Sequence, residues 1–444
     1  MSRVYLLNPP GDVIRTGRWV RKSRARQGWP PIWLAYATAL LGREGHKCKL
    51  VDASIEGVTY SESLADVERF NPNMVAYYWA YDTVEEDLYF ANELASRYPL
   101  VLVGPWSHCL PNALDRVENV KAMTYGEFDH TLLEVVEGES PENIKGLVWR
   151  DSDGMITHND ARPLCLGEEL DNIPFVAGVY RRFLDLYKYH QTSFRHPFID
   201  LLTARGCPHH CTLCLWIRAL QGGSSYRSRS IKNVVEELWY IKNNLPEIKQ
   251  IHIQDDTLPP KRAKELSQTI LDEDLRITWG GYARAELDRE TLQLMDQSGL
   301  RTLHVGYETC DIETLELIQK DVTVETMEEF ARNVRELDIW TCAGFMIFPW
   351  QTKEKVRETI QWAKKVVKPR RFSFTQLFPY PNTPICKSVE EASSRLTQEE
   401  MIQLEKEGFR EFYLRNPSWW WDTVKRPREW RNVWRDAIGL LQFL

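Results

Sequence analysis

Three cysteines stand within eight residues in Cys207-Pro208-His209-His210-Cys211-Thr212-Leu213-Cys214. This C-x3-C-x2-C spacing puts three thiolates on one short loop, enough to hold three irons of a four-iron cluster and leave the fourth iron open. Zinc is the alternative chemistry. A structural zinc site closes with four ligands, so zinc needs His209 or His210 as well. Three unligated thiols are the third possibility. Cys48, Cys109, Cys165, Cys310, Cys342 and Cys386 are scattered along the chain and read as small buried hydrophobes. An odd total of nine cysteines gives no disulfide framework.

The elements around this loop decide what it can serve. Residues 1–140 alternate strand and helix, with buried apolar runs at 3–8, 47–52, 73–79, 100–104 and 120–125 and helical patterns at 30–44, 60–70, 84–97 and 129–138. That is the pattern of a doubly wound open sheet, whose ligands sit beyond the carboxyl ends of its strands. The loops to watch are therefore Asn8-Pro9-Pro10-Gly11, Trp79-Ala80-Tyr81-Asp82, Gly104-Pro105-Trp106-Ser107-His108 and Gly126-Glu127. Residues 143–160 read as a hairpin turning at Ser152-Asp153-Gly154. Residues 161–197 read as a connector with little periodicity.

A second alternation runs from 198 to 378, with strands at 198–204, 250–254, 276–281, 301–306, 341–347 and 371–378. Six βα units fit a partial barrel, and the cysteine loop then follows its first strand, where a barrel enzyme places its active site. Beyond 390 the chain turns helical and then Trp-rich, with Trp419–Trp421, Trp430 and Trp434 read as burying a C-terminal helix, or else as a lid or a partner-docking surface. The expected layout is a doubly wound domain at 1–140, a hairpin and connector at 141–195, a barrel at 196–385 and a helical region at 386–444.

Composition narrows the partners. The 444 residues carry 56 Lys plus Arg against 63 Asp plus Glu, a formal charge of −7. Nucleic-acid binders show a basic excess, so none is expected here. Hydrophobic residues make up 43% of the chain, which excludes wholesale disorder. No run approaches ~18 apolar residues, and the N-terminus meets Pro9 after one apolar run with no small-residue cleavage site. The expectation is a cytoplasmic protein without membrane insertion. Seventeen Trp suggest flat surfaces for a large ring system or an aromatic core.

The cysteine spacing, its place after the first strand and the six βα units resemble the radical S-adenosylmethionine (SAM) superfamily. There the open iron is chelated by the amino and carboxyl groups of SAM, and the reduced cluster cleaves SAM to a 5′-deoxyadenosyl radical. The residue before the third cysteine, usually aromatic in that superfamily, is Leu213 here. Further segments resemble the branch with an N-terminal cobalamin-binding domain. They are Asn8-Pro9-Pro10 and residues 31–52, Tyr226-Arg227-Ser228-Arg229-Ser230, Ile253-Gln254-Asp255-Asp256-Thr257 and Gly306-Tyr307-Glu308-Thr309, then Gly344-Phe345-Met346-Ile347, Tyr380-Pro381-Asn382-Thr383-Pro384 and Phe412-Tyr413-Leu414-Arg415. The resemblance spans about 1–150 and 195–415, with matches that are weak singly and strong in this order.

It implies that Cys207, Cys211 and Cys214 hold a 4Fe-4S cluster, and that Asp255, Asp256, Arg284, Glu308, Gly306 and Gly344 line the SAM site. Plainer roles exist for these residues: a helix cap for the aspartates, an Arg284–Glu308 ion pair, close backbone packing for the glycines. The cobalamin contacts implied are Asn8, Pro10, Trp79, Tyr81, Gly104, Trp106, His108, Gly126 and Glu127. Trp79, Tyr81 and Trp106 would cover the lower face of the corrin, and Gly126-Glu127 would admit its nucleotide tail. The D-x-H-x-x-G string of corrinoid domains that ligate cobalt is absent, and Asp52-Ala53-Ser54-Ile55-Glu56-Gly57 carries Ser in the His place. His108 is the remaining imidazole at this edge, or a locally bonded loop histidine.

The activity implied is methylation of an unactivated carbon with SAM and methylcobalamin, fed by an external electron donor of ferredoxin or flavodoxin type. A peptide or protein is the expected acceptor, methyl-coenzyme M reductase being one candidate. The alternatives are a radical SAM cyclase or rearranging enzyme without methyl transfer, and a non-catalytic iron–sulfur binding protein.

Overall fold

The run Arg3–Asn8 (RVYLLN) forms β1, and its residues Val4 to Leu7 are fully buried. Parallel strands β2 (Lys47–Asp52), β3 (Met74–Tyr78), β4 (Leu100–Val103) and β5 (Ala122–Thr124) join it. An antiparallel hairpin, β6 (Leu147–Arg150) and β7 (Ile156–His158), completes the sheet in the order β2-β1-β3-β4-β5-β6-β7. Parallel strands need crossovers, and helices Ile32–Arg43, Tyr60–Phe70 and Val84–Ala95 supply them. Thr59 and Glu62 form a capping box that starts the second helix, and Asn71 ends it in the left-handed region. Because the chain leaves β1 toward β2 and returns past it to β3, the crevice of this doubly wound sheet opens between the carboxyl ends of β1 and β3.

The structure is a computed structural model that describes residues 1–11, 13–15, 20–22, 28–191, 193–219 and 225–425. It divides into two compact units. The first is Met1–Gln191 with Ile199–Leu201 and Leu215–Glu247, and the second is Thr192–Phe198 with Leu202–Cys214 and Ile248–Leu444.

The segment 161–197 is not the featureless connector its sequence suggests. Helices Gly167–Asp171 and Val176–Phe183 form there, the second burying Val176, Ala177, Val179 and Tyr180. An eight-residue helix shows barely two turns of periodicity, too few to stand out against neighbouring loops. Two of its tyrosines reach buried carboxylates: Tyr180 Oη donates to Asp200 Oδ1 at 2.8 Å, and Tyr189 Oη to Asp52 Oδ2 at 2.9 Å.

All six barrel strands form: β8 (Phe198–Leu201), β9 (Gln250–Ile253), β10 (Trp279–Arg284), β11 (Leu300–Glu308), β12 (Trp340–Ile347) and β13 (Arg371–Gln376). β9 to β13 are consecutive parallel neighbours, separated by helices such as Pro260–Asp272 and Val324–Glu336. β10 runs three residues further along the chain than the expected 276–281. Gly280 and Gly281 do not end the strand; they lie inside it, because a Cβ on Gly280 would come within 2.7 Å of the Thr302 carbonyl oxygen. Along the inward face, the rings of His252, Tyr282 and His304 meet at 5.0–5.3 Å between centroids. The next register row toward the carboxyl end is Arg284, Gly306, Gly344 and Ser373. Large rings below and glycines above leave room at that end.

The helical region follows. Phe412 stacks on Phe372 at 4.5 Å, and Trp419 donates Nε1–H to the Arg370 carbonyl at 3.0 Å. Trp420 and Trp421 are 41% and 63% exposed rather than buried; Trp430 and Trp434 lie outside the described residues. Among the described residues no helix is long and apolar enough to cross a membrane.

Burial pushes Asp200 up to about 7, against the hydrogen bond from Tyr180. The folded chain therefore holds this proton more tightly than the unfolded chain does. Its stabilising contribution is complete below the unfolded pKa of about 4 and disappears as pH rises through about 7. Asp200→Asn, which stays neutral, should leave the denaturation midpoint unchanged near pH 3 and raise stability by roughly 2–4 kcal/mol at pH 8, most of it gained between about pH 4 and 7. Equal shifts at both pH values would show that Asp200 does not ionise in this range.

Candidate active site

The cysteine loop starts at Gly206, whose φ of +91° is the left-handed conformation that suits glycine. Two neighbouring carboxylates fix its entry. Asp255 Oδ1 accepts from the backbone N–H of Thr203 at 2.7 Å and of Ala204 at 3.0 Å, while its Oδ2 accepts from the Thr203 hydroxyl. Asp256 Oδ2 accepts from the Gly206 N–H at 2.9 Å. Both aspartates lie just beyond the end of β9, and the oxygens described here are spent on holding the loop. Further along, the Thr212 N–H donates to the Ile318 carbonyl at 3.0 Å, and the Thr212 carbonyl accepts from the Ile385 N–H at 3.2 Å. The loop is tethered at both ends of its ligand run.

The three thiols are half-buried, and burial pushes Cys207 up to about 12. A thiol that stays protonated at neutral pH is a poor nucleophile, and a metal bound here would displace the protons. A structural zinc site would need a fourth ligand beside the three thiols. His209 Nε2 lies 3.4 Å from Glu286 Oε1, and no three described His, Cys, Asp or Glu side chains converge on a single-ion site. The set that remains, three thiolates on one loop, fits a four-iron cluster with an open corner.

Around the loop, Arg284 at the end of β10 is 6% exposed and donates through Nη1 to Cys211 Sγ at 3.4 Å. Its Nε donates to Glu286 Oε2 at 3.0 Å, so its ion pair is with Glu286 and not with Glu308. Although burial opposes it, the contacts from His209 and Arg284 hold the Glu286 carboxyl down at about 2. Glu308 instead receives Lys320 Nζ at 2.9 Å. It sits at a register shift with φ +64°, a strained backbone for a non-glycine residue. Gly306 makes room for it, since a Cβ there would fall 2.4 Å from Glu308 Oε1. At Gly344 a Cβ would meet only the Val305 carbonyl, at 3.8 Å.

Lys320 and Glu286 escaped the sequence reading. Lys320 lies twelve residues beyond Glu308 in a turn flanked by left-handed Gln319 and Asp321, and nothing in its spacing announces the pairing. Glu286, two residues past Arg284, was readable as an exposed charge.

In the first unit, Asn8 Nδ2 donates to Asp52 Oδ1 at 2.7 Å, which ties the ends of β1 and β2 together. Burial raises Asp52 to about 6. Asp87 pins the turn after β3 by accepting from the Ala80 N–H and the Thr83 hydroxyl at 2.9 and 2.8 Å. Trp79, on that turn, is fully buried with an unpartnered Nε1–H, and Ser107, after β4, is 3% exposed with an unpartnered hydroxyl. Gly104, at φ +129°, lies so close that a Cβ would approach Tyr78 Cε2 to 3.2 Å. Trp106 packs edge-on to Trp216 at 6.1 Å. Pro10 is buried, Tyr81 and His108 are half-buried, and Gly126 turns with φ +71°. Glu127 gives both oxygens to Arg227, at 2.5 and 3.2 Å. Orphaned buried donors beside a glycine cradle suit a large polar-edged ligand at this carboxyl edge.

Residues 201–363 match the model of the radical SAM superfamily. Over 370 residues the chain is 30% identical to an uncharacterised methyltransferase of Pyrococcus horikoshii, covering 80% of this chain and 77% of that protein. The chain belongs to the radical SAM superfamily. Other relatives are the cytidylyl-2-hydroxyethylphosphonate methyltransferase of Streptomyces wedmorensis, 26% identical over 78% of this chain and 72% of that one, and the anaerobic magnesium-protoporphyrin IX monomethyl ester cyclase of Cereibacter sphaeroides, 25% identical over 80% and 60%. Two solved structures share the fold. The cobalamin-dependent SAM radical enzyme OxsB matches with a TM-score of 0.65 at 16% identity, over 84% of this chain but only 53% of that one. The radical SAM methyltransferase TsrM of Kitasatospora setae matches with 0.65 at 19% identity, over 87% and 74%. The doubly wound sheet, the partial barrel and the helical C-terminal region of this radical SAM protein are thus a known combination.

Asp255→Ala strands three buried donors and should cost roughly 3 kcal/mol of stability, whereas Asp255→Asn, which keeps the oxygen facing both N–H groups, should cost about 1. Urea denaturation checks this, and iron content after reconstitution should fall in the alanine variant more than in the asparagine one. Equal effects of the two would mean that charge, not hydrogen bonding, matters at Asp255.

Proposed function

We propose that this radical SAM enzyme is a cobalamin-dependent methyltransferase acting on an unactivated carbon. The observation that carries the reading is the pairing, in one chain, of an anchored three-cysteine loop at the start of the barrel with a doubly wound sheet whose edge holds orphaned buried donors. Cys207, Cys211 and Cys214 would hold the cluster, with Glu308, Lys320 and the strand-end backbone at Gly306 and Gly344 beside bound SAM. Asn8, Pro10, Trp79, Tyr81, Gly104, Trp106, Ser107, His108 and Gly126 would face the corrinoid. When bound, these groups supply a hydrogen-abstracting radical and a methyl donor, which a carbon without an acidic proton requires. The chain's own part is to hold the reactants and exclude water. On the register row of Arg284, Gly306, Gly344 and Ser373, Gly344 leaves space, since a Cβ there would meet only the Val305 carbonyl at 3.8 Å.

A peptide or protein side chain is the acceptor we favour, methyl-coenzyme M reductase among the candidates. An external electron donor of ferredoxin or flavodoxin type would reduce the cluster. A cyclase without methyl transfer is the second reading, because two relatives carry that name, along 80% and 76% of this chain.

Anaerobically reconstituted protein, given SAM, hydroxocobalamin and a strong reductant, should retain the corrinoid through desalting and form 5′-deoxyadenosine. S-adenosylhomocysteine formed alongside supports methyl transfer. Deoxyadenosine alone, with no corrinoid retained, supports the cyclase. Neither product leaves an iron–sulfur binding protein.

A further inference from the structure

Arg284 touches a thiol of the cysteine loop, and each of its three guanidinium nitrogens already donates to a partner. Nη1 donates to Cys211 Sγ at 3.4 Å, Nε to Glu286 Oε2 at 3.0 Å, and Nη2 to the Lys320 carbonyl. Glu286 is held from its other side by His209, two residues past Cys207 in the same loop. A closed network therefore runs from Cys211 through Arg284 and Glu286 back to the ligand loop. It is screened from water: the Arg284 and Glu286 side chains are 7% and 22% exposed.

We infer that Arg284 is not a SAM ligand but a positioning residue that sets the reduction potential of the cluster through its N–H···S contact with Cys211. The inference rests on the cluster reading above. Reduction adds one electron to the cluster from a low-potential one-electron donor, and no bond at Arg284 forms or breaks. The added negative charge spreads onto the ligand sulfurs. A buried cationic donor aimed at one of them stabilises the reduced form more than the oxidised form, so the potential rises. The planar fork of arginine suits three partners in three directions, which an ammonium cannot serve at once. The Lys320 carbonyl is the third of those partners, and the same residue's Nζ holds Glu308. The network thus also joins the cluster loop to the glycine-lined end of β11.

The test is an EPR-monitored redox titration of anaerobically reconstituted wild type, Arg284→Gln and Arg284→Lys, with iron content and SAM affinity measured on the same samples. All three should hold about four irons and bind SAM with similar affinity. At the wild-type midpoint potential, the Arg284→Gln cluster should favour the oxidised form about tenfold more, equivalent to about 59 mV. Arg284→Lys, which keeps the charge and loses the fork, should shift less in the same direction. A wild-type midpoint in a fully loaded Arg284→Gln protein overturns the inference, as does weakened SAM binding with no change in potential. If Arg284→Gln takes up no iron, Arg284→Lys decides by the same comparison. Iron lost from both variants would assign Arg284 to cluster assembly instead. Wild type without iron would sink the cluster reading rather than this one.

Discussion

Replacing Cys207, Cys211 or Cys214 with alanine should take the reconstituted protein from about four irons per chain to almost none. Three thiolates are the minimum for an open-corner cluster, and each would sit on its own iron, so no single loss would leave a stable partial set. The tethers make the effect local. Thr212 is held between the Ile318 carbonyl and the Ile385 N–H, and Gly206 by Asp256; the loop keeps its path when one sulfur is removed. Circular dichroism should accordingly stay unchanged while the iron and the visible absorbance vanish. The controls carry as much weight. Cys48 is buried and its thiol is pushed up to about 12, and Cys109, Cys165 and Cys342 are buried too. Cys310 and Cys386 are only half-buried, unlike the small buried hydrophobes expected, with Cys310 against Thr359 Oγ1 and Cys386 donating to the Tyr380 carbonyl at 3.0 Å. Cys386 is the sharpest control, because it follows the residue that anchors Thr212. Iron content unchanged in Cys386→Ala leaves the open corner in place. Loss of iron there would mean a closed four-thiolate site with no room for SAM.

Much of this site was legible in the sequence because its determinants are local. The cysteine loop is a single run, and β1 to β5 are short apolar strands ended by turn residues, so period and punctuation suffice. Reading failed where a role depends on residues far apart in the chain. Arg284 could be placed at the end of a strand, but which carboxylate it faces depends on how β10 and β11 align. The register shift at Glu308 turns that side chain to Lys320 and leaves Arg284 to Glu286. Gly280 and Gly281 misled for a related reason: a glycine pair in a strand usually signals its end, and here it answers the close approach of Thr302. Asp255 and Asp256 were placed correctly on the chain. Their hydrogen bonds to Thr203, Ala204 and Gly206 span about fifty residues and follow no short motif.

Glu127→Ala should be strongly destabilising although it lies outside the cysteine loop. Arg227 and Glu127 are 7% and 6% exposed in their side chains and bonded through two N–H···O contacts, with Arg227 Nη1 also reaching the Cys165 carbonyl at 2.8 Å. Deleting the carboxylate leaves a buried guanidinium with one neutral acceptor, a loss of roughly 3–5 kcal/mol. Glu127→Gln retains an acceptor and should lose less. Removing both charges together, as Glu127→Leu with Arg227→Met, should return most of the stability, because the desolvation cost of the arginine goes with it. Urea denaturation of wild type, Glu127→Leu, Arg227→Met and the double variant yields the coupling energy directly. The same set decides what Glu127 is for. The sequence placed it against the nucleotide tail of a corrinoid, whereas its geometry ties the turn after β5 to the strand Ser225–Ser228 that follows the cysteine loop. If Glu127 is a tie, the double variant, stable again, should retain hydroxocobalamin through desalting as the wild type does. A double variant that is stable but cannot hold the corrinoid would restore Glu127 to the cofactor site.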